Sequence, residues 1–192
     1  MRVLSLDPGT VNFAATVTKF DLSDGFKFRI EGTTMVKTKT ILKDLKDART
    51  GLLRFADAIE PLFAQGYDAF VFERYQARGG KGTTIEAINM MAGYMVWRMR
   101  ECPDVTCYLA STWKNAYNRF GDLKEQYQDL AHIRKTEKGV PHKEIHELDS
   151  ALIGMYHVCK LHGIKPFEFL GNKISRERKL LNLIDRAPVL KL

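Results

Sequence analysis

The sequence predicts an α/β fold, a mixed five-stranded sheet with three antiparallel strands followed by parallel ones and helices on its faces. Three observations carry this expectation. Alternating apolar and polar residues run from Phe13 to Val17 and again from Phe26 to Ile30, the period of half-buried strands. The short apolar run of Val3, Leu4 and Leu6 reads as a buried strand, and the continuous run at Ala69–Phe72 as an interior strand covered on both faces. Between and after them stand stretches whose apolar residues recur at steps of three and four, the period of amphipathic helices.

The chain has 192 residues, enough for one domain with a sizeable core, and 45% hydrophobic and 28% charged residues are ordinary for a globular protein. Thirty Lys and Arg against 23 Asp and Glu leave a net charge of +7. A pI near 9.3 favours a polyanionic partner without excluding a basic enzyme of another kind. Cys102, Cys107 and Cys159 are odd in number and form no CxxC, which points to reduced thiols rather than a disulfide frame or a zinc site. The N-terminus has no signal pattern, and the longest apolar run, MMAGYMVW, is far too short to span a bilayer. A soluble, cytoplasmic protein without a membrane partner is expected.

In chain order, MRVLSLDPGT is a short strand that stops at Asp7 before a Pro-Gly-Thr turn. A carboxylate at a buried strand end is costly unless a cation or water takes its charge; alternatively Asp7 simply opens the turn. Two further strands follow as a hairpin with Asp24-Gly25 as its turn. The charged segment from Lys37 to Gly51 reads as a surface connection or weak helix, and Leu52, Phe55, Ala56, Ile59 and Phe63 mark an amphipathic helix ending at Gly66. YDAFVFE is the next strand, and again it terminates in an acid, Glu73. A shared cation would offset the desolvation cost of two such acids.

The loop RYQARGGKG carries Arg74, Tyr75, Arg78 and Lys81 among three glycines. It is suited to lie along phosphates but is not a Walker loop. Thr83 with Glu86 forms a capping box for a helix that is apolar on nearly every face, with Ile85, Ile88, Met91, Met95 and Met99 on one side and Met90, Tyr94 and Trp97 on another. The surplus apolar surface suggests a second helix or a second subunit, or else a fully interior helix. Val105 to Ala110 reads as another interior strand, and Ser111 or Thr112 caps a short helix after it. Leu123 to Val140 is polar and basic. In the helix after Pro141, Ile145, Leu148, Leu152, Met155 and Cys159 form the buried stripe, and His146 and Asp149 stand three apart on one face at its edge. The tail from Lys165 holds seven cations and three acids; it is either a solvated helix or an arm along a DNA backbone.

If the first and fourth strands are neighbours, Asp7 and Glu73 come side by side, and the late helix brings His146 and Asp149 over the same edge. Three carboxylates and an imidazole around one point repel one another unless hard divalent cations fill the site. Two Mg²⁺ ions roughly 4 Å apart would activate a water on one side of a phosphodiester and stabilise the leaving oxygen on the other.

LDPGT, the FVFE strand end and HELDSALIG together resemble the RuvC-type Holliday junction resolvases of the RNase H-like and retroviral integrase superfamily. The resemblance runs from Met1 to about His162. It implies an RNase H-like nuclease domain over residues 1–163 with a basic extension over 164–192, and a homodimer that nicks opposed strands of branched DNA, chiefly four-way junctions. It further implies Asp7, Glu73, His146 and Asp149 as catalytic residues and ligands of two Mg²⁺ or Mn²⁺ ions. Asp7 would bridge both ions, Glu73 and Asp149 would each hold one, and His146 would either ligate the second ion or orient the attacking water. A ligating histidine must be neutral, so activity should fall below about pH 6. Lys114 and Lys124 lie roughly where family lysines contact DNA, and Lys135 and Lys138 extend the same basic segment. Gln76 stands where family members often carry a wedging aromatic, with Tyr75 one place before it, which leaves that wedge open. A nuclease for RNA or RNA–DNA hybrids would use the same cluster. An actin-like ATPase would need a second lobe, and a non-catalytic DNA-binding module would leave the four ligands without a purpose.

Overall fold

The computed structural model describes residues 1–9, 11–23, 26–38, 48–74, 82–117, 145–166, 183–184 and 186–190. Five strands, β1 (Arg2–Asp7), β2 (Phe13–Asp21), β3 (Lys27–Val36), β4 (Ala69–Arg74) and β5 (Val105–Leu109), form one sheet in the order β3-β2-β1-β4-β5. The β1/β2 and β2/β3 pairs are antiparallel, whereas β1/β4 and β4/β5 are parallel. This is the expected mixed RNase H-like arrangement. The Asp24-Gly25 step of the hairpin lies outside the described residues.

Helices α1 (Ala48–Phe63) and α2 (Gly82–Arg98) cover one face of the sheet, and α3 (Ala110–Ala116) and α4 (Ile145–Leu161) the other. Strand alternation sorts the core accordingly. Leu4, Leu6, Phe70 and Phe72 point to α1 and α2, while Val3, Ala69 and Val71 point to α4. On α4, Leu148, Leu152, Met155 and Cys159 are buried as their spacing predicts, and Ala151, Ile153 and Val158 are buried as well.

The structure corrects four expectations. Val105–Leu109 is an edge strand rather than an interior one, with Cys107 exposed; an apolar run reports covering by helices and does not reveal whether a further strand lies beyond it. Neither Ser111 nor Thr112 caps α3. β5 runs straight into that helix, so Leu109 in extended conformation is the cap residue and makes no side-chain cap hydrogen bond. The α2 helix begins at Gly82, one residue before the expected cap Thr83, and α1 spans Ala48–Phe63, starting before the apolar spacing at Leu52 and ending with its last residue, short of the expected stop at Gly66. End residues are where local signals are weakest.

Near the end of the chain, Thr33 N–H donates to Pro188 O at 3.0 Å and Leu190 N–H donates to Thr33 O at 2.9 Å. This short parallel bridge covers part of the outer edge of β3, and Ile184 and Ala187 are buried beside it. Among the described residues no helix is long and apolar enough to cross a membrane.

Candidate active site

The site forms at the end of β1 and β4, where two parallel neighbours finish together. Leu6 pairs with Phe72, so Asp7 and Glu73, one residue further on, lie side by side. Both share the parity of Val3 and Val71 and therefore face α4. That helix starts above them and brings His146 and Asp149 down from its first turns. His146 Nδ1 stands 2.8 Å from Asp7 Oδ2, a hydrogen bond that orients the carboxylate.

A fifth side chain joins the four. Lys114 Nζ lies 3.4 Å from Asp149 Oδ2 and 3.8 Å from Glu73 Oε2. Its side chain is only 15% exposed, so Lys114, expected along a DNA path, is drawn in among the carboxylates. The preceding residue, Trp113, is fully buried; its indole N–H donates to Glu73 Oε2 at 2.9 Å, and its ring lies under the Lys114 ammonium at 4.8 Å. Tyr117 then fastens α3 to α4 by donating to Leu152 O at 3.0 Å. The sequence reading passed over Trp113; the signal available was an aromatic beside a lysine directly after a strand.

The electrostatics are those of a crowded anionic cluster. Burial raises the Asp7 carboxyl above its usual range; the His146 hydrogen bond pulls it down, and the charge of Asp149 pushes it further up. Burial likewise lifts Glu73 to about 7, against the pull of Lys114 and with a push from Asp7 and Asp149. A folded site that resists ionisation of its own acids is one that a cation would relieve. Three carboxylates with one imidazole are the donor types that Mg²⁺ or Mn²⁺ accept. Among the described residues, no group of three or more His, Cys, Asp and Glu side chains stands as a ready-made cation cage; the ammonium of Lys114 supplies positive charge between two of the acids.

Of the expected DNA-contacting residues, Arg74 is exposed at the end of β4, on the same edge as the cluster. Tyr75, Arg78, Lys81, Lys124, Lys135 and Lys138 lie outside the described residues. All three cysteines are free thiols.

No family model matches the chain, and no curated protein does. Among solved structures, RuvC from Thermus thermophilus is similar, with a TM-score of 0.54 and 16% identity over 85% of this chain and 97% of that one. The structure of T. thermophilus RuvC in complex with a Holliday junction substrate aligns with a TM-score of 0.52 and 17% identity, over 85% of this chain and 96% of that one. At such identity the likeness is one of fold, and it is the fold that the sequence motifs implied.

Proposed function

We propose that the chain is an endonuclease that resolves branched DNA, chiefly four-way junctions, by metal-assisted phosphodiester hydrolysis, and that it works as a homodimer making paired nicks. The observation that carries this reading is the meeting of Asp7, Glu73, His146 and Asp149, from three distant parts of the chain, where the inner strands β1 and β4 end. The similar fold of T. thermophilus RuvC, solved with a Holliday junction substrate, supports it, as does the net charge of +7.

In this reading Asp7, Glu73, Asp149 and His146 would hold two Mg²⁺ or Mn²⁺ ions, which would supply Lewis acidity toward the phosphate oxygens. The rest of the work belongs to the chain. Trp113 fixes the Glu73 carboxylate through its indole N–H, and His146 fixes that of Asp7, so neither acid must reorient at the moment of reaction. Lys114 holds positive charge beside Glu73 and Asp149, where a phosphodiester would bring more negative charge. Arg74, and Arg78 and Lys81 in the glycine-rich stretch of sequence after it, would provide cations for the flanking backbone. For the second subunit, α2 offers an apolar face: Met90, Val96 and Trp97 are 39%, 41% and 58% exposed, more than a lone surface residue would explain.

A labelled four-way junction incubated with and without Mg²⁺ tests the reading, with linear duplex and RNA–DNA hybrid of the same sequence beside it. Paired symmetric nicks in the junction, dependent on the cation, are expected. Cleavage of the hybrid with the junction left intact would replace this substrate by an RNA-containing one.

A further inference from the structure

The helix that carries His146 and Asp149 meets the sheet along a line its hydrophobic stripe does not include. Glu147, Ser150 and Gly154 follow at steps of three and four, so they share one face of α4. Beneath them Ser5, Thr16 and Thr33 stand in a row across β1, β2 and β3, since Ser5 pairs with Thr16 and Thr16 with Thr33. All three hydroxyl residues are fully buried.

The two rows engage position by position. Thr33 Oγ1 donates to Glu147 Oε1 at 2.7 Å. The Thr16 and Ser150 hydroxyls share a hydrogen bond of 2.5 Å, and Thr16 Oγ1 lies 3.3 Å from Glu147 O. At Gly154 the helix backbone comes so near β1 that an added Cβ would sit 2.7 Å from Ser5 Oγ. Thr33 is also the residue whose backbone N–H and C=O are both gripped by the chain near Pro188 and Leu190, so the outermost hydroxyl of the row sits on a pinned strand.

Apolar burial alone would not choose a rotation for this helix, because hydrophobic contact is non-directional and α4 is buried almost all round. The hydroxyl row does choose. Turning α4 by one residue, about 100°, would leave Glu147, Ser150 and the two threonines buried without these partners, and unpaired buried polar groups are expensive. The same turn would carry His146 off Asp7. We propose that Glu147 is the positioning residue of the site: held by Thr33, it fixes the rotation of α4 on the sheet and so seats His146 on Asp7 and Asp149 beside Lys114. This deepens the nuclease reading and rests on it only where cleavage is measured.

The experiment compares the full chain with Glu147→Ala, Glu147→Gln and Thr33→Val. One readout needs neither cation nor DNA: the ¹⁵N shifts of the His146 ring, observed through its carbon-bound protons at a single pH and assigned with His146→Gln. The others are Mn²⁺ affinity by calorimetry without DNA, and kcat and KM on a four-way junction. In Glu147→Ala the ring shifts move toward those of a solvent-exposed imidazole, Mn²⁺ affinity falls by about tenfold or more, and kcat falls at least as far while KM stays within about threefold. Glu147→Gln, which keeps an acceptor for the Thr33 hydroxyl, restores all three. Thr33→Val removes the same hydrogen bond at nearly unchanged shape and reproduces the alanine pattern, so it carries the test should Glu147→Ala not fold. Wild-type ring shifts in Glu147→Ala or Thr33→Val overturn the proposal, as does a glutamine variant as impaired as the alanine one. If the ring shifts follow the expected pattern while no variant, nor the parent, cuts a junction, the positioning role stands and the nuclease reading falls.

Discussion

The pH dependence of the metal-free protein exposes the cost of assembling the site. Burial holds Glu73 at about 7, against an ordinary value of 4.5. An acid raised in this way favours the folded state while it is protonated. Its contribution is therefore whole below pH 4.5 and is lost as pH rises through 7. A gap of about 2.5 units corresponds to about 3 kcal/mol; because the side chain is 19% exposed, solvent screening reduces that to about 2 kcal/mol. Asp7, also raised by burial, acts in the same direction, so a variant is needed to isolate Glu73. Glu73→Gln cannot ionise, yet it keeps an acceptor for the Trp113 indole. In thermal melts with chelator present, Glu73→Gln and the parent should be equally stable near pH 4.5. The variant should melt higher at pH 8, by roughly 4–8 °C for a chain of this size. Adding Mg²⁺ at pH 8 should stabilise the parent more than the variant, since only the parent has this charge to neutralise. A melting difference that stays constant from pH 4.5 to 8.5 would refute the reasoning, because it would show that ionisation of Glu73 costs the fold nothing.

Asp7→Asn should abolish cleavage of a four-way junction while leaving binding intact in a mobility-shift assay, because losing one negative charge does not weaken attraction to phosphate; loss of binding would mark Asp7 as a folding residue instead. Gly154→Ala should lift α4 from β1 by roughly 0.7 Å, the shortfall of the 2.7 Å approach to Ser5 Oγ from ordinary contact. That should lower kcat about 10- to 100-fold while the melting temperature falls by at most roughly 8 °C, since overpacking costs about 1–3 kcal/mol and alanine's helix preference returns about 1 kcal/mol. Adding Ser5→Gly to the same chain should recover activity. Lys114→Met should tighten Mn²⁺ binding in calorimetry by about three- to tenfold, because the ammonium 3.4 Å from Asp149 no longer repels the ion; unchanged affinity would mean that its charge is not felt there.

What the sequence disclosed follows from how locally each feature is encoded. Asp7 and Glu73 were visible as acids closing apolar runs, and His146 with Asp149 as a polar pair three apart beside an apolar stripe. Both are patterns within a few consecutive residues. The edge position of β5 was hidden, since strand order is a property of pairing and Val105–Leu109 is apolar enough to pass for interior. Lys114 was expected along a DNA path, and only the direct passage of β5 into α3, capped at Leu109, turns it toward Glu73 and Asp149. The row of Ser5, Thr16 and Thr33 was hidden for a third reason. Each is an unremarkable strand residue by itself, and their alignment exists only in the register of three strands. Glu147, Ser150 and Gly154 did show a helical spacing, but it runs beside the hydrophobic stripe that the period search rewards.

Register is also what makes the site possible. Side chains alternate across a strand, so a slip of β4 by one residue against β1 would exchange the faces of Phe72 and Glu73. Glu73 would then enter the apolar layer of Phe55, Ile59, Met91 and Met95, and Phe72 would meet Asp7. The apolar partners Leu4 and Leu6, matched to Phe70 and Phe72, oppose that slip more strongly than any contact among the acids, whose mutual repulsion works against assembly. The carboxylates are therefore held together by the hydrophobic pairing behind them. Substitutions at Phe70 or Phe72 that loosen the β1/β4 register should disable the site without touching a charged residue.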